Sequence, residues 1–195
     1  MPPKPKYNKE DIAQATFSIL RESGWSSVTA RNISKKLNCS TQPLYSYLKS
    51  MDELAGVLRK QALFTLIEYQ VEKYTDNIFL NMAVGYVKFA QDEKNLFQFL
   101  YFEKPVTRNP KWNHDETKWL SREIEKKIGQ KLDISSYLGK INPEQMDDIS
   151  LNGWLYAHGL ANALSYGAIE PLPESKIIKM LTNAGLAFYL ASKQG

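Results

Sequence analysis

The side chains best suited to chemistry are gathered in one short stretch, TARNISKKLNCSTQPLYSYLKSMDEL, residues 29–54. Leu44 and Leu48 stand one helical turn apart and point inward. Thr41, Gln42, Tyr45 and Ser46 therefore share the opposite side of a short helix that Ser40 caps. Such a surface suits the major groove of DNA. The Gln42 amide matches an adenine edge, and the carbons of Thr41 or Pro43 match a thymine methyl. Thr29, Tyr45, Tyr47 and Lys49 suit phosphates, which position a protein on the duplex without reading its sequence. Lys4 and Lys6, on a proline-rich arm, can reach a neighbouring groove. A second reading makes Tyr45 and Tyr47 half-buried aromatics of a small helical domain.

The remaining reactive side chains are few. His114 and His158 are the two histidines, and neither has a triad or metal partner visible in the sequence. No phosphate-cradling glycine loop is present. Cys39 is the one cysteine, which rules out an intrachain disulfide and a thiolate metal cluster. The chain thus reads as a non-enzyme, and it calls for no cofactor and no metal.

The elements that must position these groups are helices. Apolar residues recur at helical spacing and proline and glycine fall between the runs, so the expected class is all-α, with about nine helices. Asn8 caps the first helix and Gly24 stops it; Ile12, Thr16, Ile19 and Leu20 make its inner face. The second helix starts at Thr29 and carries Ile33 and Leu37 inward. Asn38 takes the left-handed turn position, and Cys39 fills a small apolar gap beneath it. Ser50-Met51-Asp52-Glu53 forms a capping box for a long fourth helix, whose apolar pattern runs through Leu54, Val57, Leu58, Phe64 and Leu66 towards Tyr74. Further helices are expected over 77–91, 94–102, 112–132, 143–168 and 174–192, with linkers at 103–111 and 170–173. The domain division is then a loose basic arm over 1–7, a three-helix helix-turn-helix domain over 8–54, and a helical C-terminal domain over 55–195.

Charge follows this division. Residues 1–51 hold eight Lys/Arg and three Asp/Glu, whereas residues 52–195 hold seventeen and eighteen. The positive excess sits on the part with the DNA-facing side chains, as phosphate binding requires. Leu151–Ile169 is the most apolar long stretch, but Asn152, His158, Asn162 and Ser165 interrupt it. It reads as a buried helix, with no membrane span and no signal peptide.

Residues 8–54 resemble the N-terminal domain of the TetR family of bacterial transcriptional regulators. Gly24, Thr29, Ile33, Ser34, Leu37, Ser40, Leu44, Tyr45, Tyr47, Lys49, Glu53 and Leu54 stand at the family's spacing. The match covers about a quarter of the chain. Asn38 replaces a common glycine, Gln42 a small residue, Leu48 an aromatic and Met51 a frequent lysine. The resemblance implies a cytoplasmic bacterial regulator that binds double-stranded DNA at a pseudopalindromic operator, most often as a repressor. It also implies release by a small-molecule effector. Trp154-Leu155-Tyr156-Ala157-His158-Gly159 is similar to the W-x-x-x-H-G signature of one C-terminal subfamily, called WHG.

The resemblance further implies an effector site in the C-terminal domain, for which Tyr86, Phe89, Phe99, Phe102, Trp119, Trp154, Tyr156 and His158 are the candidates. Each also fits an ordinary core, where aromatics and hydrogen-bonded histidines usually pack. Small residues recur every four positions at Gly153, Ala157, Ala161 and Ser165, which lets two helices approach closely. Ile177, Leu181, Ala184 and Phe188 line one side of the last helix. The family pairs its last two helices with those of a second copy, so Gly153, Ala157, Ala161, Ile177, Leu181, Ala184 and Phe188 are the expected homodimer interface. A DNA-binding architectural protein without an effector is the alternative, and an all-α enzyme a more remote one.

Overall fold

The computed structural model describes residues 7–41, 44, 50–103, 110–132 and 142–193, the side chains of 110–117 and 143 excepted. Among them are eight α-helices, one 3-10 turn and no strand, so the all-α class holds. The ninth expected helix, after Ser40, falls outside the described residues apart from Leu44.

Local chemistry accounts for the helix limits. Helix α1 (Lys9–Ser23) starts on a reciprocal cap: Asn8 Oδ1 accepts from the Asp11 amide at 2.8 Å, and Asp11 Oδ2 accepts from the Asn8 amide at 2.9 Å. Gly24, at φ 77°, ends it, and its amide donates to the Leu20 carbonyl. Ile12, Thr16, Ile19 and Leu20 are buried, as their spacing predicts. The Thr16 hydroxyl can be buried because it donates to the Ile12 carbonyl at 2.6 Å. A 3-10 turn (Trp25–Ser27) leads into α2 (Ala30–Leu37).

Helix α3 (Met51–Val71) begins where the Ser50 hydroxyl accepts from the Glu53 amide at 3.1 Å. Its inward residues are Leu54, Ala55, Leu58, Ala62, Leu63, Leu66 and Ile67. Val57 and Phe64, members of the expected apolar pattern, are 45% and 37% exposed. They stand seven residues apart on the opposite face, where period rather than hydrophobicity decides burial. Lys60 Nζ lies 6.0 Å from the Phe64 ring centroid.

Packing divides the chain into two compact units, Met1–Phe64 with Glu93–Asn109, and Thr65–Asp92 with Pro110–Gly195. The expected limits at 54 and 55 follow the motif instead. In the first unit α1 packs on α2, on the 3-10 turn and on α5 (Lys94–Tyr101). The Arg21 guanidinium clamps the Glu93 carboxylate through both ends of its fork, with Nε donating to Oε2 at 2.7 Å. Asn95 Nδ2 donates to the Arg21 carbonyl at 2.9 Å, and Arg59 Nη1 to the Leu100 carbonyl at 2.7 Å. The Phe99 ring sits 5.2 Å from that of Trp25.

In the second unit α4 (Ile78–Asp92), α7 (Pro143–Ser165) and α8 (Glu174–Ser192) pack on one another. Helix α7 has its own reciprocal cap between Asn142 and Gln145, and Gln145 Nε2 also donates to the Ser192 carbonyl at 2.6 Å, tying it to the end of α8. Helix α6 (Pro110–Ile128) opens on a proline expected in a linker, a position where the missing amide hydrogen costs little. Lys127 bridges it to Glu68 at 2.6 Å. Among the described residues no helix is long and apolar enough to cross a membrane, the Leu151–Ile169 stretch included.

Candidate nucleic-acid interface and subunit surface

The described part of the interface is a helix and a turn. Thr29 has extended backbone, and its Oγ1 accepts from the Asn32 amide at 3.2 Å, so the hydroxyl proton stays available to an external oxygen. Asn32 Nδ2 donates to the Ser27 carbonyl at 2.8 Å and braces the cap. Helix α2 ends on Asn38, which adopts the left-handed conformation at φ 50° and ψ 50°. The Cys39 amide then donates back to the Ser34 carbonyl at 3.0 Å. Asn can hold this conformation where most residues with a Cβ resist it. Cys39 itself is half-buried beside the turn.

Past the turn, Ser40 and Thr41 are exposed, and Leu44 is 1% exposed. The Leu44 amide donates to the Thr41 carbonyl at 3.1 Å, a helical first turn. This matches the expected anchoring by Leu44 with Thr41 facing out. Gln42, Pro43, Tyr45, Ser46, Tyr47 and Lys49, with Lys4 and Lys6 of the arm, lie outside the described residues. Tyr7, expected to be loose, donates its hydroxyl to the Leu37 carbonyl and closes the end of α2.

Positive charge near the turn is partly tied up. Lys36 Nζ donates to Ser18 Oγ at 2.6 Å and to Glu22 Oε1 at 3.2 Å, joining α2 to α1. The Ser18 hydroxyl and then Lys36 hold the Glu22 carboxyl below its ordinary pKa. Arg31 and Lys35 are exposed on α2 with no side-chain partner among the described residues. They were not singled out in the sequence, where only their place one and two turns along the bracing helix marks them.

The proposed effector residues are divided between the two units. Phe99 is fully buried and Phe102 is 40% exposed, and both belong to the first unit. Phe89 is fully buried in the second unit, edge-on to Tyr69 at 5.8 Å. Trp119 is half-buried on α6. Tyr86, Trp154 and His158 form a cluster: Tyr86 Oη is 2.7 Å from His158 Nδ1, and the Trp154 ring stacks on the imidazole at 5.1 Å and 14°. Burial holds the His158 pKa below its ordinary value, which favours the neutral ring with Nδ1 accepting from the tyrosine. Tyr156 is turned instead towards Phe188, at 6.4 Å. A groove of the second unit, at Asn142, Glu144, Gln145, Asp148, Ile149, Asn152, Phe188, Ala191 and Ser192, is not lined by any of the eight.

The expected subunit interface needs correction. Ala161 and Ile177 have no exposed surface, and Ala157 and Leu181 have little. They are spent on the packing of α4, α7 and α8 within one chain, so they have almost no area left to give a second copy. Gly153, Ala184 and Phe188 are half-buried. The small-residue row thus serves the internal seam. Apolar side chains left more than half exposed include Leu151, Leu155 and Tyr166 on or just beyond α7, and Leu186 and Leu190 on α8. None of them is among the seven residues expected at the interface. At 100° per residue they lie opposite the buried faces of their helices.

The wider comparison adds nothing to these observations, since no protein-family model matches the chain and no curated protein matches it.

Proposed function

We propose that the chain is a homodimeric, DNA-binding transcriptional regulator of the TetR kind. The observation that carries this reading is the Thr29-capped helix ending on a left-handed Asn38. It is followed by exposed Ser40 and Thr41 and then by buried Leu44. That is the arrangement in which a second short helix keeps one face on the core and turns its hydroxyl and amide side chains to a major groove. Thr29, Arg31 and Lys35 are the phosphate contacts of the bracing helix. Gln42 reads a base edge, and Lys49 binds a phosphate.

Two reading heads need a two-fold partner. The exposed Leu151, Leu155, Tyr166, Leu186 and Leu190 supply the apolar surface for it, because such side chains rarely stay together in water on a monomer. Regulation is assigned to the second unit, where the exposed Trp154 indole backed by His158 and Tyr86 joins aromatic surface to a polar handle. A small effector changes DNA affinity only by favouring one arrangement of the pair over another. Repression is the mode assigned.

Selection of duplexes from a random pool, followed by fluorescence anisotropy, tests the reading. Lys49→Ala should weaken binding to every sequence and lower the salt slope by about one. Gln42→Ala should cost about 1–3 kcal/mol at one base position. Equal affinity for selected and random duplexes at moderate salt would overturn the proposal.

A further inference from the structure

The first unit contains a groove that the DNA-reading role leaves unused. It runs between α1 and α3 and has a volume of about 380 Å³. Its floor is apolar, made by Ile12, Ala13, Leu54 and Val57. Glu10 and Glu53, each in the first turn of its helix, stand on its lining with Lys9. Neither carboxylate has a side-chain partner among the described residues: the Ser50 cap takes the Glu53 amide, and the Asn8 cap is answered by Asp11. Gln14 and Gln61 add amides to the wall. The volume falls within the range of small-molecule clefts, roughly 300–1,000 Å³.

From this combination we infer that the groove binds a small hydrophobic amine. Its alkyl chain lies along Ala13 and Val57, and its ammonium sits by Glu10 and Glu53. Two carboxylates against one ammonium leave the lining with a net negative charge, which selects a cation over a carboxylate of the same shape. The apolar floor in turn favours an alkylammonium over inorganic ammonium. The open rim keeps the affinity low, in the millimolar range, since exposed ion pairs contribute little. The site lies between α1 and α3, and its occupancy does not depend on DNA.

Calorimetry and amide-shift NMR on the full chain without DNA test this with n-hexylammonium, n-hexanol and hexanoate as probes. The ammonium should bind saturably, shift the amides of Ala13, Glu53 and Val57, and exceed hexanol and hexanoate in affinity. Glu10→Gln and Glu53→Gln should each weaken it about 2–5-fold, and molar salt should do the same. Val57→Lys, at a position already 45% exposed, should abolish binding while leaving the melting temperature near that of the parent. Equal binding of hexylammonium and hexanol, shifts elsewhere in the chain, or no saturation in the millimolar range would each overturn the inference. None of these results bears on DNA affinity, so this site and the regulator reading fail separately.

Discussion

Gly85→Ala is the most informative single substitution, because geometry and helix propensity pull it in opposite directions. A Cβ on Gly85 of α4 would lie 2.1 Å from the Tyr69 carbonyl oxygen, 2.5 Å from its carbon and 2.8 Å from Gln70 Cα. All three atoms are backbone of α3, so no side chain can swing aside. Relief requires two packed helices to separate by most of an ångström. Overpacking of this kind costs about 1–3 kcal/mol, and a rigid backbone neighbour puts it at the upper end. Alanine returns about 1 kcal/mol of helix propensity over glycine. The net is a loss of about 2 kcal/mol, or about 4–8 °C in Tm for a chain of this length. Gly56→Ala on α3 is the internal control, since nothing lies within 4 Å of its added Cβ. There propensity acts alone, and stability should rise by about 0.5–1 kcal/mol. Thermal and urea unfolding of the two variants beside the parent measure both terms. A Gly85→Ala protein as stable as the parent would refute the close α3–α4 approach.

Three further outcomes follow from the same reasoning. Arg21→Met strands the Glu93 carboxylate, which is 7% exposed, and should cost about 2 kcal/mol, whereas Glu93→Gln should cost less; matching small losses in urea midpoints would remove the clamp as a stabilising contact. His158 has its pKa lowered by burial, so the stability it contributes is complete above the ordinary value of 6.5 and is lost as pH falls through the folded value. Replacing it with Gln should flatten the acid side of the stability profile, and an unchanged profile would exclude that titration. Leu155→Asp with Leu186→Asp should shift sedimentation from dimer to monomer and leave helical content intact, while Ala161→Asp should unfold the second unit because that position has no exposed surface. A dimer that survives the paired Leu changes would move the interface elsewhere.

Local features were legible in the sequence because local chemistry fixes them. Asn8, Gly24, Thr29, Asn38 and Ser50 cap or turn the chain through atoms within a few residues of themselves, and short-range spacing announces them. Buried Leu44 with exposed Thr41 followed from period alone. The helical class followed in the same way. What periodicity could not supply was which of two apolar faces would be used. Val57 and Phe64 are as hydrophobic as Leu58 and Leu66, yet they stay 45% and 37% exposed while Leu58 and Leu66 are buried. Ala161 and Ile177 have the look of a subunit seam but close the chain on itself, and Leu155 and Leu186 are left outside.

Long-range pairing was the other hidden layer. Arg21 with Glu93, Lys88 with Glu174, and Tyr86 with His158 are 72, 86 and 72 residues apart, and no charge or aromatic in a helical pattern names a partner at that distance. Sequence by itself determined the helices, their caps and the turn between Leu37 and Ser40, since each depends on contacts a few residues long. Only the tertiary structure decided that α5 belongs with α1, that Gly85 sits against the α3 backbone, and which apolar side chains remain exposed, because these depend on how helices distant in the chain exclude water from one another.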